Sequence, residues 1–321
     1  MAFSIPKPIE FMPRHTKIPF VSYFKFFFAL SIVLNLATVI LLATMGLNFG
    51  IDFRGGTLIE IRTTQGPADI AGLRSQLETL GLGAVQIQEF GAPDTVLIRV
   101  AEQPGGEQAQ QEAVKKIQGA LGSGIEMRRT EVVGGTVSAE LIDQAIIAIV
   151  LTCFGIFLYV WLRFEWQFAL GAVIALVHDV LLTVGIYSAT QMEFDITIVA
   201  ALLTILGYSI NDTVVIYDRI RENLRKYKKK PLEELLDLSV NETLGRTIMT
   251  VSTVILALLS LYIFGGEVIR GFTFAMLFGC VVGTYSSVFI AAPFLILMGV
   301  KRDWSGVKVG AATAARSKAD A

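Results

Sequence analysis

Reactive and metal-binding side chains are scarce in this sequence. Its 321 residues include two cysteines, Cys153 and Cys280, and two histidines, His15 and His178. Both cysteines fall inside long apolar runs. A bridge would need two of those runs to touch there, and nothing in the pattern points to it, so both read as small packing residues. The histidines are far apart with no cysteine cluster nearby, so neither a metal site nor a cofactor is expected. Charge is also thin: 17% of residues are charged against 53% hydrophobic, and the mean hydropathy is +0.61. That balance excludes a disordered chain and argues against an ordinary soluble domain. With a net charge of −1 there is no global basic field, and nucleic acid is not an expected partner.

Long apolar runs are abundant. The first, Phe26 to Met45, follows an N-terminal segment (1–25) carrying Lys7, Arg14, Lys17 and Lys25. It exceeds the roughly 7–15 residues of a signal-peptide core and has no small-x-small cleavage site. It matches the ~20 residues needed to cross ~30 Å of hydrocarbon, and reads as an uncleaved first span over 26–46. Further runs lie at Leu141–Leu162, Phe168–Ala189, Ile196–Tyr217, Thr247–Phe264 and Phe272–Val300, giving spans two to six within 141–300. The last is longer than a bilayer requires, so it is expected to be tilted, bent near Pro293 or partly interfacial. Basic residues set the orientation. They cluster before span one, in a loop expected at 218–246 after span four, and in a tail at 301–321 expected to be disordered. The short loops around Gln191–Glu193 and Gly265–Glu267 are poor in them. Both termini are therefore expected to be cytoplasmic. The Arg219–Lys230 cluster, Pro231 and the amphipathic Leu232–Leu244 segment read either as a positive-inside anchor with a surface helix or as a docking site for anionic lipids or a cytoplasmic partner.

One soluble segment, 48–140, interrupts the spans and must then be extracytoplasmic. Thr57–Arg62, Val85–Gln88, Thr95–Val100 and Ile125–Val133 are strand-like. Ile70, Leu73, Leu77 and Leu80, and then Val114, Ile117 and Leu121, recur at helical spacing. The order β-α-β-β-α-β predicts a ferredoxin-like α+β domain inserted into a membrane all-α six-helix bundle. The insert lacks histidine and cysteine, and shows no nucleophile–base pair or phosphate loop. Its entry string Gly50-Ile51-Asp52-Phe53-Arg54-Gly55-Gly56-Thr57 reads as a tight turn joining span to strand, or as a flexible hinge or an ordered link to a partner domain.

Polar groups inside the spans carry the functional reading. Asp212 lies in the fourth, where a carboxylate is costly, about 2.5–3.5 kcal/mol on insertion scales. Thr197, Thr204, Tyr208, Asn211 and Asp212 recur at helical offsets and are expected to face the bundle interior. Asp212 can bind and release a proton. Arg246 opens the fifth run about 8 Å from that depth at 1.5 Å per residue. It either forms a switchable ion pair with Asp212 or snorkels to the interface. His178-Asp179 in the third span is a second titratable station or a hydrogen-bonded gating pair. Asn35 reads as packing glue. Gly279 and Gly283 are four apart and permit close helix approach.

Asp52-Phe53-Arg54-Gly55-Gly56-Thr57, the string from Gly207 to Asn223 and Gly283-Thr284-Tyr285-Ser286-Ser287 together resemble the SecD/SecF family of protein-export membrane proteins, in the resistance-nodulation-division superfamily. The resemblance covers nearly the whole chain. It implies a non-enzymatic, proton-driven subunit of the bacterial inner membrane with a periplasmic domain. The implied partners are SecD, the SecYEG channel, YajC, YidC and the translocating polypeptide. It also implies that Asp212 and Arg246 form the proton relay, with His178 and Asp179 as the family's third-span pair. Two rivals remain: a non-energised scaffold of the channel, and a small-molecule or lipid exporter of the same superfamily.

Overall fold

The computed structural model describes residues 16–300 apart from Ala84 and Ser123. The expected tail at 301–321, most of the N-terminal segment and His15 lie outside the described residues.

Among the described residues, six helices are long and apolar enough to cross a membrane. They are α1 (Phe24–Thr44, entered through a tight turn at Val21–Tyr23), α5 (Gly135–Arg163), α6 (Trp166–Thr190), α7 (Ile196–Lys226), α8 (Leu232–Phe264) and a broken sixth span. The sixth span is α9 (Arg270–Ser286), a π-turn (Ser287–Ala291) and α10 (Ala292–Leu297). Pro293 has no amide hydrogen for the carbonyl four residues back, and the wider turn before it absorbs that defect. Most residues in the apolar windows of α1, α5 and α8 face outward, with 11%, 6% and 17% buried. The corresponding shares for α6, α7 and the sixth span are 56%, 50% and 61%, so these three form the centre. Phe26, Ile32, Ile146, Phe154 and Leu256 point away from the protein, as lipid-facing side chains must.

Residues 218–246 differ from the expected loop. Residues 218–226 complete α7, and α8 begins at Leu232, so only 227–231 connect the two. The amphipathic segment from Leu232 is continuous with span five. Pro231 sits at the N-cap, and no proline interrupts the helix before Phe264. Likewise α5 starts at Gly135, before its apolar run begins.

Between α1 and α5 come β1 (Asn48–Phe49), α2 (Ile51–Arg54), β2 (Gly56–Thr63), α3 (Ile70–Glu78), β3 (Val85–Phe90), β4 (Ala92–Val100), α4 (Gly106–Leu121) and β5 (Ile125–Val133). The last four strands form one sheet, ordered β3-β4-β2-β5 and antiparallel throughout. Alternation at period two sends Ile59, Ile61, Val96, Ile98 and Val100 to one face. There they meet Leu73 and Leu77 of α3 and Ala113, Ile117 and Leu121 of α4. Leu58 and Leu97 point the other way and bury Ile51 of α2. A short parallel pairing of β1 with β6 (Glu193–Phe194), just before α7, joins the end of span one to the start of span four.

Candidate functional site

The centre of the bundle is built around Asp179 on α6, which is fully buried. Its Oδ2 accepts from Ser209 Oγ of α7 at 2.7 Å and from Ser286 Oγ of α9 at 2.9 Å. Its Oδ1 faces His178 Nδ1 at 3.0 Å. One carboxylate thus ties together the three central helices. The close crossing depends on missing side chains. A Cβ on Gly283 would sit 3.0 Å from the Ser209 side chain, and one on Gly279 would collide with Ile205. One turn along, Thr213 Oγ1 and Ser287 Oγ share a hydrogen bond at 2.7 Å, and Ser287 Oγ donates to Gly283 O. The π-turn therefore begins at a hydroxyl gripped from both sides.

Asp212, three residues beyond Ser209, is the contrasting case. It is 4% exposed, and its Oδ2 has no hydrogen-bond partner among the described residues. The hydroxyls of Tyr208 and Thr247 are also buried and have no hydrogen-bond partner among the described residues. Arg246 acts on Asp212 electrostatically but stays exposed and forms no ion pair with it within 4 Å. Asp179 has both oxygens engaged, by Ser209, Ser286 and His178, and serves as a fixed anchor. Asp212 is buried with one oxygen left open, so it can accept a proton or a donor that the surrounding helices do not supply.

The expected inward stripe on α7 needs correction. Thr197, Thr204 and Asn211 are exposed, and Tyr208 is half-buried. Neighbours on a helix point about 100° apart, so Asn211 and Asp212 cannot share a face. The buried face is Ile205, Ser209, Asp212 and Ile216, and Ser209 is the functional neighbour that pattern reading missed. The exposed threonines satisfy themselves locally, Thr204 Oγ1 donating to Ala200 O at 2.8 Å.

His178 also borders a small apolar cavity of about 330 Å³ between α1 and α6, lined by Phe28, Asn35, Ile174, Leu181 and Ile290. Asn35 Nδ2 donates to Ser31 O at 2.8 Å, whereas Asn35 Oδ1 and His178 Nε2 have no partner among the described residues. Tyr285 packs its ring 5.9 Å from that of His178 and donates to Phe27 O at 2.8 Å, which fastens α1 to the centre.

Comparison with known proteins matches this architecture over most of its length. The pattern of protein export membrane protein SecD/SecF, C-terminal, fits residues 113–301, and the SecD/SecF GG motif fits residues 40–67. Protein translocase subunit SecF of Cereibacter sphaeroides is 48% identical over 303 residues, covering 92% of this chain and 93% of that protein. Protein translocase subunit SecDF of Brucella abortus is 41% identical over 298 residues, covering 92% of this chain but 39% of that longer one. The crystal structure of SecDF, a translocon-associated membrane protein from Thermus thermophilus, superposes with a TM-score of 0.78 at 31% identity, covering 90% of this chain and 39% of that one. The chain belongs to the SecD/SecF family of protein-export membrane proteins and matches its SecF members.

Proposed function

We propose that this protein is the SecF-type subunit of the bacterial protein-export machinery, and that with SecD it uses the proton motive force to promote polypeptide translocation. The observation that carries the reading is Asp212: a buried carboxylate with a free oxygen on a central helix, within electrostatic reach of Arg246. Proton binding neutralises Asp212. Proton loss leaves a charge that draws Arg246 inward, repacking α7 against α8. One charge crossing 100 mV supplies about 2.3 kcal/mol, enough to bias a bundle between states a few kcal/mol apart.

The partnership with SecD is supported by the fused relative, in which this chain corresponds to 39% of the length. SecYEG is the channel served, and YajC and YidC are further partners of the assembly. The antiparallel order β3-β4-β2-β5 supports a ferredoxin-like periplasmic insert. Arg163, Arg219, Arg221 and Arg225 lie at the helix ends remote from that insert, which supports cytoplasmic termini in the inner membrane and contact of this end with anionic lipids.

The test is translocation into inverted membrane vesicles. Asp212→Asn is expected to abolish gradient-dependent stimulation while the complex with SecD still assembles. Unchanged gradient-dependent export in that variant would leave the scaffold reading instead.

A further inference from the structure

The entry string from Asp52 to Thr57 is not used by the relay, yet it stands where the inserted domain meets the bundle. Asp52 Oδ2 accepts from the backbone amide of Ile196 at 2.9 Å, the first residue of α7. That amide is one of the donors a helix start leaves without an internal partner, and the helix dipole favours a carboxylate there. Asp195 satisfies the next two, accepting from Thr197 N at 2.9 Å and Ile198 N at 3.2 Å. Phe53 is buried beside Phe49 and Phe194, with ring centroids 5.8 and 6.0 Å away. On the other side, Gly55 and Gly56 hold φ of 72° and 128°, and a Cβ on Gly56 would run into the carbonyl of Val100 on β4. The chain thereby passes within a few residues from the start of α7 into β2, an interior strand of the sheet. A second tie runs beside it, the ion pair of Arg99 on β4 with Glu193 on β6.

We propose that Asp52 is a positioning residue that couples α7 to the inserted domain. This rests on the proton-relay reading of Asp212 and extends it. Asp212 and Ile196 are on one unbroken helix, about 24 Å apart at 1.5 Å per residue. A shift of α7 on proton binding moves its first turn, and the Asp52 bond passes that shift through Gly55-Gly56 into β2 and β4. The turn is then a linkage with a fixed bond at one end and a conformation reserved for glycine at the other.

Hydrogen exchange on the complex with SecD in lipid nanodiscs tests this as a double-mutant cycle. Asp212→Asn alone is expected to change exchange in 56–63 and 92–100 by roughly fivefold, a local-opening difference of about 1 kcal/mol. In an Asp52→Ala background the same substitution is expected to change it by less than about twofold. Ile196→Pro provides an independent break: it removes the donor amide, at a helix position where proline is favoured. It should uncouple in the same way, so the test survives if Asp52→Ala does not assemble. Asp52→Asn keeps an acceptor oxygen and should retain coupling. An undiminished response to Asp212→Asn in the Asp52→Ala or Ile196→Pro background overturns the proposal. So does a loss of export in Asp212→Asn with no change in the domain's exchange. If Asp212→Asn leaves both export and exchange unchanged, the relay reading has failed, and the coupling falls with it.

Discussion

Removing Asp179 should be far more damaging than neutralising it. The two serines donate to one oxygen, Oδ2, and His178 Nδ1 faces the other. Asparagine can reproduce this arrangement, its carbonyl accepting from both serines and its amide donating to Nδ1 of neutral histidine. Alanine leaves the Ser209 hydroxyl and His178 Nδ1 without a partner and opens a void. Ser286 retains only its 3.1 Å bond to Gly283 O. Hydrogen bonds between membrane helices average about 0.6 kcal/mol, and those to a charge reach about 1.5–3 kcal/mol. Adding a cavity of side-chain size gives about 3–5 kcal/mol for Asp179→Ala, against about 1 kcal/mol or less for Asp179→Asn. At roughly 2–4 °C per kcal/mol, the alanine variant should melt about 10 °C below wild type, and the asparagine variant within about 3 °C of it. The assay is thermal denaturation of the detergent-solubilised complex with SecD, followed by size-exclusion chromatography. Equal melting of the two variants, or an alanine variant as stable as wild type, would refute Asp179 as the anchor of the three central helices.

Gly279→Val should force Ile205 aside and lower stability by about 1–3 kcal/mol, read in the same melt. Tyr187→Phe removes the 2.6 Å bond to Gly271 O at the start of α9 and should cost about 1–2 kcal/mol, with loosened exchange around 270–273 as its local signature. Burial raises the Asp52 carboxyl above its ordinary value of 3.8, against the opposing pull of the Ile196 amide. The folded state therefore holds that proton more tightly than the unfolded chain, and this group's contribution to stability falls as pH rises from 3.8 through the raised value. Asp52→Asn fixes the neutral form, so above that window the first turn of α7 should be at least as protected from exchange as in wild type. Faster exchange there would show that the charge, not the acceptor oxygen, holds the turn.

Local periodicity accounts for most of what could be read along the chain. Apolar runs of bilayer length located the spans, since lipid demands about twenty such residues whatever the neighbours do. Alternation at two and recurrence near 3.6 located the strands and helices of the insert, including Ile125–Val133. The cost of an acid in lipid singled out Asp212. Which polar groups face inward was settled by the packing of helices against one another. Thr197, Thr204 and Asn211 share helical offsets with one another and read as one polar stripe, yet that stripe turns outward, because which face is buried depends on where α6 and α9 pack against α7. The same holds for the shell of Asp179, whose donors lie 30 and 107 residues away in the chain, and for Asp52, whose partner lies 144 away. A pattern within one helix carries no information about a bond that exists only when separate helices meet.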